Sequence, residues 1–532
     1  MNEKTRTNGI FSHFFTKILT RKNPDEMIKT ANAAGFKKTL TAVDLVILGI
    51  GAIIGSGIFA VVGIAAAGGP DSVGAGPSLV LSMVVATIAC IFSALCYSEF
   101  ATMIPVAGGA YTYTFATLGE FAAWMVGWIL MLEYAVGYVA VACAWSNHFM
   151  QLLKGFSAYL PNWLVNPPVW LTCDYKSAVT QLHCSGGNVA SSIPHLLGIP
   201  FCINLPACAI VAIITSILIK GTKDSTKMAT VMVIVKLAVI ALFVFAGSFY
   251  VKPSNWVPFA PNGANGVFMG AFIIFFAYIG FDALATAAEE CKNPQRDLPI
   301  GIMGSLIATT IIYISVAVVL TGMYNTSGPN IDPAFLKAPM EYVMVLAHKN
   351  WAAGLIAIGS LAGLTSVLLV LQLAATRILY AMSRDNFLPS VFQKLHPIYR
   401  TPHILTILVG VVCMIGTMTL DLNVAAQLCN FGTFTSFIIV CVAVLILRKI
   451  DPDRPRPFRV PFSPLFPCLG ILCCGGLMIY SMKSLTSSAL MFPVWLLIGL
   501  VIYLQYGYVK NRKIEMNRDI SVDKDEKELV TK

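Results

Sequence analysis

Between residues 42 and 509 the chain passes through about a dozen apolar stretches, each bounded by glycine, proline or a short polar segment. A hydrocarbon core of about 30 Å takes roughly 20 residues of helix. The pattern therefore predicts spans over 42–67, 77–104, 120–149, 199–219, 228–250, 266–288, 299–323, 350–382, 403–420, 427–447, 466–483 and 490–509. Composition agrees, since 57% of the 532 residues are hydrophobic and only 12% are charged, whereas soluble domains run near a quarter charged. A water-soluble globule is excluded. The apolar stretches lack the polar–apolar alternation of a porin strand, and 28 prolines and 41 glycines exclude a long coiled coil. The expected fold class is an all-α polytopic membrane protein with about 12 transmembrane helices.

The 36 Lys and Arg against 26 Asp and Glu mark sidedness and not a nucleic-acid partner. With the N-terminus inside, the far segments hold only Lys154, Lys176, Lys252, Lys337, Lys349 and Lys483, while Lys236 and Arg377 fall within spans. All other basic residues fall on the inner side, so both termini are expected in the cytoplasm and the chain in a cell membrane, most simply a bacterial inner membrane. Residues 1–41 lack the apolar core and cleavage site of a signal peptide. Phe11, Phe14, Phe15, Ile18 and Leu19, with Lys17, Arg21 and Lys22, fit either a surface helix on the inner leaflet or a disordered tail. Residues 510–532, of mixed charge, read as a solvated tail. Most of the 14 cysteines lie in apolar spans and read as small hydrophobes. Cys173 and Cys184 share a long outer loop, where an oxidising compartment would allow a disulfide and free thiols stand equally open.

The first span carries Gly49, Gly51, Gly55, Gly57 and Gly63 in "GIGAIIGSGIFAVVG". No strand precedes it, so it is no dinucleotide-binding loop. Small residues also serve close helix packing, but Gly55, Ser56 and Gly57 are consecutive and point to different helix faces. An unwound segment explains them better. Unwinding at membrane depth is tolerated only against protein or a wet cavity. There the half-helix starting after the break offers N–H groups to a carboxylate, and the one ending before it offers carbonyls to an ammonium. The sixth span repeats the pattern in "GAFIIFFAYIGFDALATAAEE", with Gly280 inside an aromatic run and Asp282 just after it. Two interrupted helices five spans apart suggest inverted repeats over 42–250 and 266–447, followed by a linker and two further helices over 448–509.

Three charges bear on mechanism. Lys236, in "MATVMVIVKLAVIALFVF", carries an insertion cost of about 2.5–3.5 kcal/mol at a helix centre. It lies too far from either interface to snorkel, and its fixed ammonium is suited to stand where a bound sodium ion would. Asp282 and Glu133 are the acids expected inside the bundle, where burial favours the neutral acid and makes proton carriage feasible. For Glu133 a structural role as partner to a lysine or backbone donor stands equally open.

"GIGAIIGSGIF", "FFAYIGFDAL" and "EECKNPQRDLPIGI" resemble the first-span, sixth-span and following-loop motifs of permeases of the amino acid, polyamine and organocation superfamily. The last of these, with "RILYAMSRDNFLP" and "RPRPFRVPF", resembles the cationic amino acid transporter subfamily and its bacterial relatives. The resemblance implies a LeuT-type five-plus-five inverted repeat with helices 1 and 6 broken. It implies that Ser56 and Gly57 N–H groups bind the substrate carboxylate, and that the carbonyls of Ile53, Phe276, Ala277 and Ile279 receive its ammonium. Phe276 would also act as an aromatic gate. Lys236 resembles the fifth-helix lysine that replaces sodium in proton-coupled members, Asp282 the sixth-helix acid linked to proton coupling, and Glu133 a third-helix acid of bacterial relatives. "QLAATRILYAM" departs from the pattern, with Ala375 and Thr376 where many relatives place a proline before the arginine.

The function expected is secondary active amino acid transport by alternating access, proton-coupled and sodium-independent. The alternatives are exchange without net proton flux and a non-transporting amino acid sensor. The substrate class, cationic or neutral, stays open. An enzyme would need a nucleophile with its base, or a metal cluster. His13, His148, His183, His195, His348, His396 and His403 fall near span ends, in loops or in the tail, and none pairs at helical spacing. No cofactor is implied; the partners are an amino acid, protons and the lipid bilayer.

Overall fold

The computed structural model describes residues 20–507 apart from 34–37, 39, 70–71, 107, 158, 185–191, 197–198, 221–224, 329–330, 400 and 485. Most of the candidate surface helix at residues 11–22, and the C-terminal tail, lie outside the described residues. Helix α1 (Pro24–Ala33) opens on a proline, whose missing N–H costs nothing in the first turn, with Asp25 and Glu26 at the positive end of its dipole. Helix α2 (Ala42–Ile53) begins at a capping box. The Thr41 side chain accepts from the Asp44 N–H, and the Asp44 carboxylate accepts from the Thr41 N–H at 2.9 Å.

After a break the first span resumes as a π-turn, Gly57–Val61, and α3 (Val62–Ala67), bent by 45° from α2. There follow α4 (Leu79–Met103), the short α5 (Gly109–Thr117), α6 (Glu120–Gly155), α7 (Tyr175–Cys184), α8 (Leu205–Lys220) and α9 (Ser225–Ser248). The second half holds α10 (Gly263–Phe275), α11 (Pro294–Met323), the short pair α12 (Pro333–Lys337) and α13 (Pro339–Leu346), and α14 (Asn350–Arg384). It closes with α15 (His403–Thr419), α16 (Leu422–Ile450), α17 (Leu465–Ser484) and α18 (Thr486–Ile502).

Among the described residues, 9 helices are long and apolar enough to cross a membrane, and the bent first pair makes 10. The shorter apolar helices α8 and α15 occupy the fourth and ninth expected positions. The fourth span begins later than its hydropathy predicts, because Ile199–Pro200 pairs antiparallel with His195–Leu196 before the helix starts at Leu205. The tenth begins earlier, because the Asp421 side chain caps it by accepting from the Val424 N–H at 2.8 Å. The Cys173–Cys184 pairing that the sequence left open is not formed on the Cys173 side, and the Cys184 side chain lies outside the described residues. Cys173 is a free, buried thiol, packed with Ala178, Leu182, Ile193 and Cys202 in an apolar cluster of the outer loop.

The surface of the bundle is itself apolar, with Ile234, Phe245, Ile311, Leu472 and Leu497 each more than half exposed, as a lipid-facing surface requires. Polar side chains are spent inside, where they join helices. Gln372 of α14 accepts from Tyr138 OH of α6 at 3.2 Å, and donates to Thr215 Oγ1 of α8 at 2.8 Å and to Thr406 O of α15 at 3.2 Å. Glu99 of α4 is fully buried and takes both Nε (3.0 Å) and an Nη (2.5 Å) of Arg448 from α16, together with the Val460 N–H at 2.7 Å. Such forked pairing fixes two long helices in one orientation.

Candidate functional site

The first break follows from Ile54, whose extended conformation (φ −72°, ψ 101°) ends α2. The Ile54 N–H still reaches Ile50 O at 3.0 Å, and the Ile58 and Phe59 N–H groups next fold back onto Gly55 O. Gly55, Ser56 and Gly57 lie between, all buried. Ser56 Oγ is enclosed without a hydrogen-bond partner, a cost tolerated where a ligand is to be met. The second break follows α10. A tight 3-10 turn, Phe276–Tyr278, gives way to extended Ile279 and to Gly280 at φ +125°, a left-handed conformation that suits glycine. The chain then re-enters as a 3-10 helix, Asp282–Glu290.

The two breaks touch. A Cβ on Gly57 would sit 2.3 Å from Ala277 Cα, and one on Gly280 would sit 2.8 Å from Ala52 O. Two of the sequence's glycines are thus explained by backbone-to-backbone approach between half-helices 220 residues apart in sequence, by subtraction of the two numbers. Tyr313 of α11 places its hydroxyl 3.0 Å from Ile53 O and 2.8 Å from Ala277 O, so one group spans both broken helices. Phe276 O accepts from the Ile279 N–H at 3.4 Å. Three of the four carbonyls expected to meet an ammonium therefore already have one partner, and each keeps a second lone pair. Phe276 is buried beside the breaks, as is Ile279.

Lys236 is fully buried. Its Nζ lies 2.5 Å from Gly51 O, 2.7 Å from Ile54 O and 3.5 Å from Ser366 Oγ of α14. The two carbonyls are ones that α2 cannot satisfy at its C-terminal end, and the ammonium sits where the helix dipole is negative. Gly363 of α14 makes room for the lysine stem, since a Cβ there would lie 3.2 Å from Lys236 Cβ.

Asp282 is also buried. Its Oδ2 accepts from Tyr134 OH at 2.8 Å and its Oδ1 from the Gly280 N–H at 3.2 Å, so the acid straps the second break to α6. Glu133, one residue before Tyr134, is fully buried with both carboxyl oxygens unpartnered. The neighbouring Thr433 hydroxyl is spent on Cys429 O at 3.0 Å. Of the two roles left open for Glu133, a proton role and a structural partnership with a lysine or backbone donor, the second finds no such partner for either oxygen, and the buried Lys236 of α9 is directed to Gly51 O and Ile54 O.

The structure thus brings Ile53, Ser56, Gly57, Phe276, Ala277, Ile279, Lys236 and Asp282 to the two breaks, with Glu133 behind Asp282. Sequence reading missed Tyr313, Tyr134, Ser366 and Asn430. Asn430 of α16 donates to Phe272 O of α10 at 2.6 Å and leaves its own Oδ1 buried and unpartnered. Each is a polar residue inside an apolar span, a signal that was available.

The family described as "Amino acid permease" matches residues 40–503. The chain belongs to the amino acid permease family. The permease is 41% identical to the branched-chain amino acid permease BcaP of Bacillus subtilis (strain 168), over 92% of this chain and 97% of the relative. It is 39% identical to the methylthioribose transporter of the same organism, over 92% and 98% respectively. It is 33% identical to cationic amino acid transporter 9, chloroplastic, of Arabidopsis thaliana, over 89% of this chain and 79% of the relative. These relatives are transporters and not enzymes, and they bear out the permease resemblance read from the motifs.

Proposed function

We propose that the permease is a secondary active transporter that holds the carboxylate and ammonium of an α-amino acid between its two broken helices and carries it by alternating access. The observation that carries this reading is the Lys236 ammonium set against Gly51 O and Ile54 O, at the end of the half-helix that stops beside the unpartnered Ser56 hydroxyl. A covalently fixed cation there leaves no call for a sodium ion, and transport is sodium-independent. The driving ion is a proton, carried by the Asp282 and Glu133 pair. An ionised Glu133 without a donor would be an unpaired buried charge, so loading and release of a proton there change what Asp282 and Tyr134 can hold at the second break.

Two inverted repeats, 42–250 and 266–447, supply the symmetry for rocking, and the contact of their two breaks supports that division. Lys22 and Tyr503, near the two limits of the described residues, both reach the region of the short helix α5, which supports placing them on one side. The Lys22 N–H donates to Phe115 O at 3.3 Å, and Tyr503 OH lies 3.4 Å from Glu120 Oε1, three residues past the end of the same short helix. The excess of basic residues on that side makes it the cytoplasmic face of a multi-pass cell-membrane protein.

The test is uptake of labelled amino acids into proteoliposomes, with and without an inward proton gradient and with sodium replaced by choline. The panel holds branched-chain and cationic amino acids, and methylthioribose, which has neither ammonium nor carboxylate. Gradient-stimulated, sodium-indifferent uptake of an amino acid supports the reading. Uptake that requires internal substrate and ignores the gradient makes the protein an exchanger, and uptake of methylthioribose alone overturns the proposed use of the main-chain dipoles.

A further inference from the structure

We propose that His148, Glu341 and Ser360 form a proton-binding site, separated from the first break by the Phe59 ring, that fastens the helical pair α12–α13 to the bundle. The inference rests on the proposed orientation only in calling this face outer. Sequence position places His148 near a span end, yet α6 continues past it and the imidazole is fully buried. Its Nδ1 lies 2.8 Å from Oε1 of Glu341, itself only 1% exposed. Ser360 Oγ of α14 donates to the same Oε1 at 3.0 Å. Three elements therefore meet at one carboxylate oxygen: the outer helix α13 and two long spans.

The proton count follows from this geometry. Oε1 accepts from the Ser360 hydroxyl, and in the proposed site it also accepts from His148, with the shared proton on Nδ1 and the carboxylate ionised. The remaining atoms, His148 Nε2 and Glu341 Oε2, are buried with no hydrogen-bond partner. With Nε2 bare the cluster carries one net negative charge; a proton taken from the outer solution onto Nε2 makes it an ion pair of zero net charge.

No other cation on the packed elements answers that charge. On α6 the titratable groups inward of His148 are Cys143, Tyr138 and Tyr134, none of them a cation, before Glu133, 15 residues away by subtraction; Lys154 lies beyond the buried stretch. On α14 no Asp, Glu, Lys or Arg occurs between Asn350 and Arg377. The stretch from Gly57 to Ala67, whose Phe59 ring lies edge-on to His148 with centroids 6.4 Å apart, has none either. Lys236 of α9 is directed to Gly51 O and Ile54 O. On α12–α13, Lys337 donates to Gln181 at 2.8 Å and Tyr342 OH donates to Asp332 Oδ2 at 3.2 Å. Lys349 stands over the Tyr250 ring at 5.6 Å, and His348 is exposed.

The pair α12–α13 lies directly on the outer half of the first span, where a Cβ on Gly63 would be 2.9 Å from Phe335 O and 3.2 Å from Pro339 Cβ. Protonation of His148 completes an ion pair that must be broken, with both charges desolvated, before α13 lifts. Acid on the outer side therefore holds this cover down, and alkali loosens it.

The test is hydrogen exchange of residues 333–346 in the purified full-length permease between pH 5.5 and 8, each rate corrected for intrinsic exchange. It needs no transport, so failure of transport or of proton coupling leaves this result standing by itself. Protection of the wild type rises as pH falls, by up to about tenfold per pH unit, the ceiling for one linked proton. His348→Gln, which removes the exposed neighbouring histidine, keeps that slope. His148→Gln or Glu341→Gln, with ordinary exchange retained elsewhere in the bundle, flattens it. A flat wild-type profile, or a slope that survives in both His148→Gln and Glu341→Gln, overturns the proposal.

Discussion

Replacing Lys236 by methionine isolates what its ammonium does, because the side chain keeps an unbranched apolar stem and loses the terminal nitrogen with its charge and donors. Gly51 O and Ile54 O, held at 2.5 and 2.7 Å in the wild type, are then left without that partner. Each buried acceptor without a donor costs about 1–3 kcal/mol. The donors within reach by ordinary i→i−4 geometry are the N–H groups of residues 55 and 58. Methionine therefore favours a helix wound through the break by about 2–6 kcal/mol relative to lysine. Rewinding removes the competent conformation from the population, and with the wound and broken forms near balance in the wild type the apparent affinity falls by nearly the same factor. Even the low end corresponds to about a 30-fold rise in Kd, since about 1.4 kcal/mol is tenfold.

Thermal stability is a poor readout, because removing the lysine also removes the cost of burying a charge, which offsets the lost hydrogen bonds. Equilibrium binding of labelled amino acid to purified protein reads the break directly. Lys236→Arg, which keeps N–H donors, is the companion variant and should lose less affinity than Lys236→Met. If Lys236→Met binds within about threefold of wild type, the energetic link between the ammonium and the break assumed here is wrong.

Gly57→Ala puts a carbon 2.3 Å from Ala277 Cα, where carbon contacts settle near 3.5–4.0 Å. The half-helices must part by more than about 1 Å, and uptake should fall on the order of 100-fold, while Gly57→Leu abolishes binding; wild-type affinity in either would remove the site from this contact. Tyr313→Phe deletes the hydroxyl that spans Ile53 O and Ala277 O and should weaken substrate binding by about tenfold; an unchanged Kd in calorimetry makes the hydroxyl incidental. Asp282→Asn keeps an acceptor for Tyr134 but carries no titrating proton. Substrate counterflow should persist while uptake driven by a pH gradient disappears, and gradient-driven uptake at the wild-type rate would argue against a proton role for this acid.

Much of the architecture is legible in the chain because a bilayer turns hydropathy into length. Among the described residues each predicted run carries a helix, with the first and sixth interrupted and α8 and α15 shorter than a full span, and the two shifted starts come from local devices: the short β-pair before Leu205 and the Asp421 cap. The breaks were legible for a related reason. Consecutive small residues at Gly55–Gly57, and Gly280 within an aromatic run, make poor continuous helix, and helix propensity is local. The state of Cys173 was not legible, because a shared loop fixes neither distance nor direction between two side chains.

What tertiary structure alone decided is which polar group meets which. Sequence set Lys236 and Arg377 side by side as charges inside spans. In the fold Lys236 is sealed against the end of α2, while Arg377 is exposed, 7 residues by subtraction from the end of α14 at Arg384, or about 10 Å along the axis. Likewise nothing local to Tyr313 announces that it reaches two carbonyls, or to His148 that a carboxylate waits 193 residues away. Hydropathy and propensity are properties of neighbours along the chain, and they set where helices run and where they stop. Partners are properties of faces brought together by packing, and a residue's face acquires its chemistry only when another helix is laid against it.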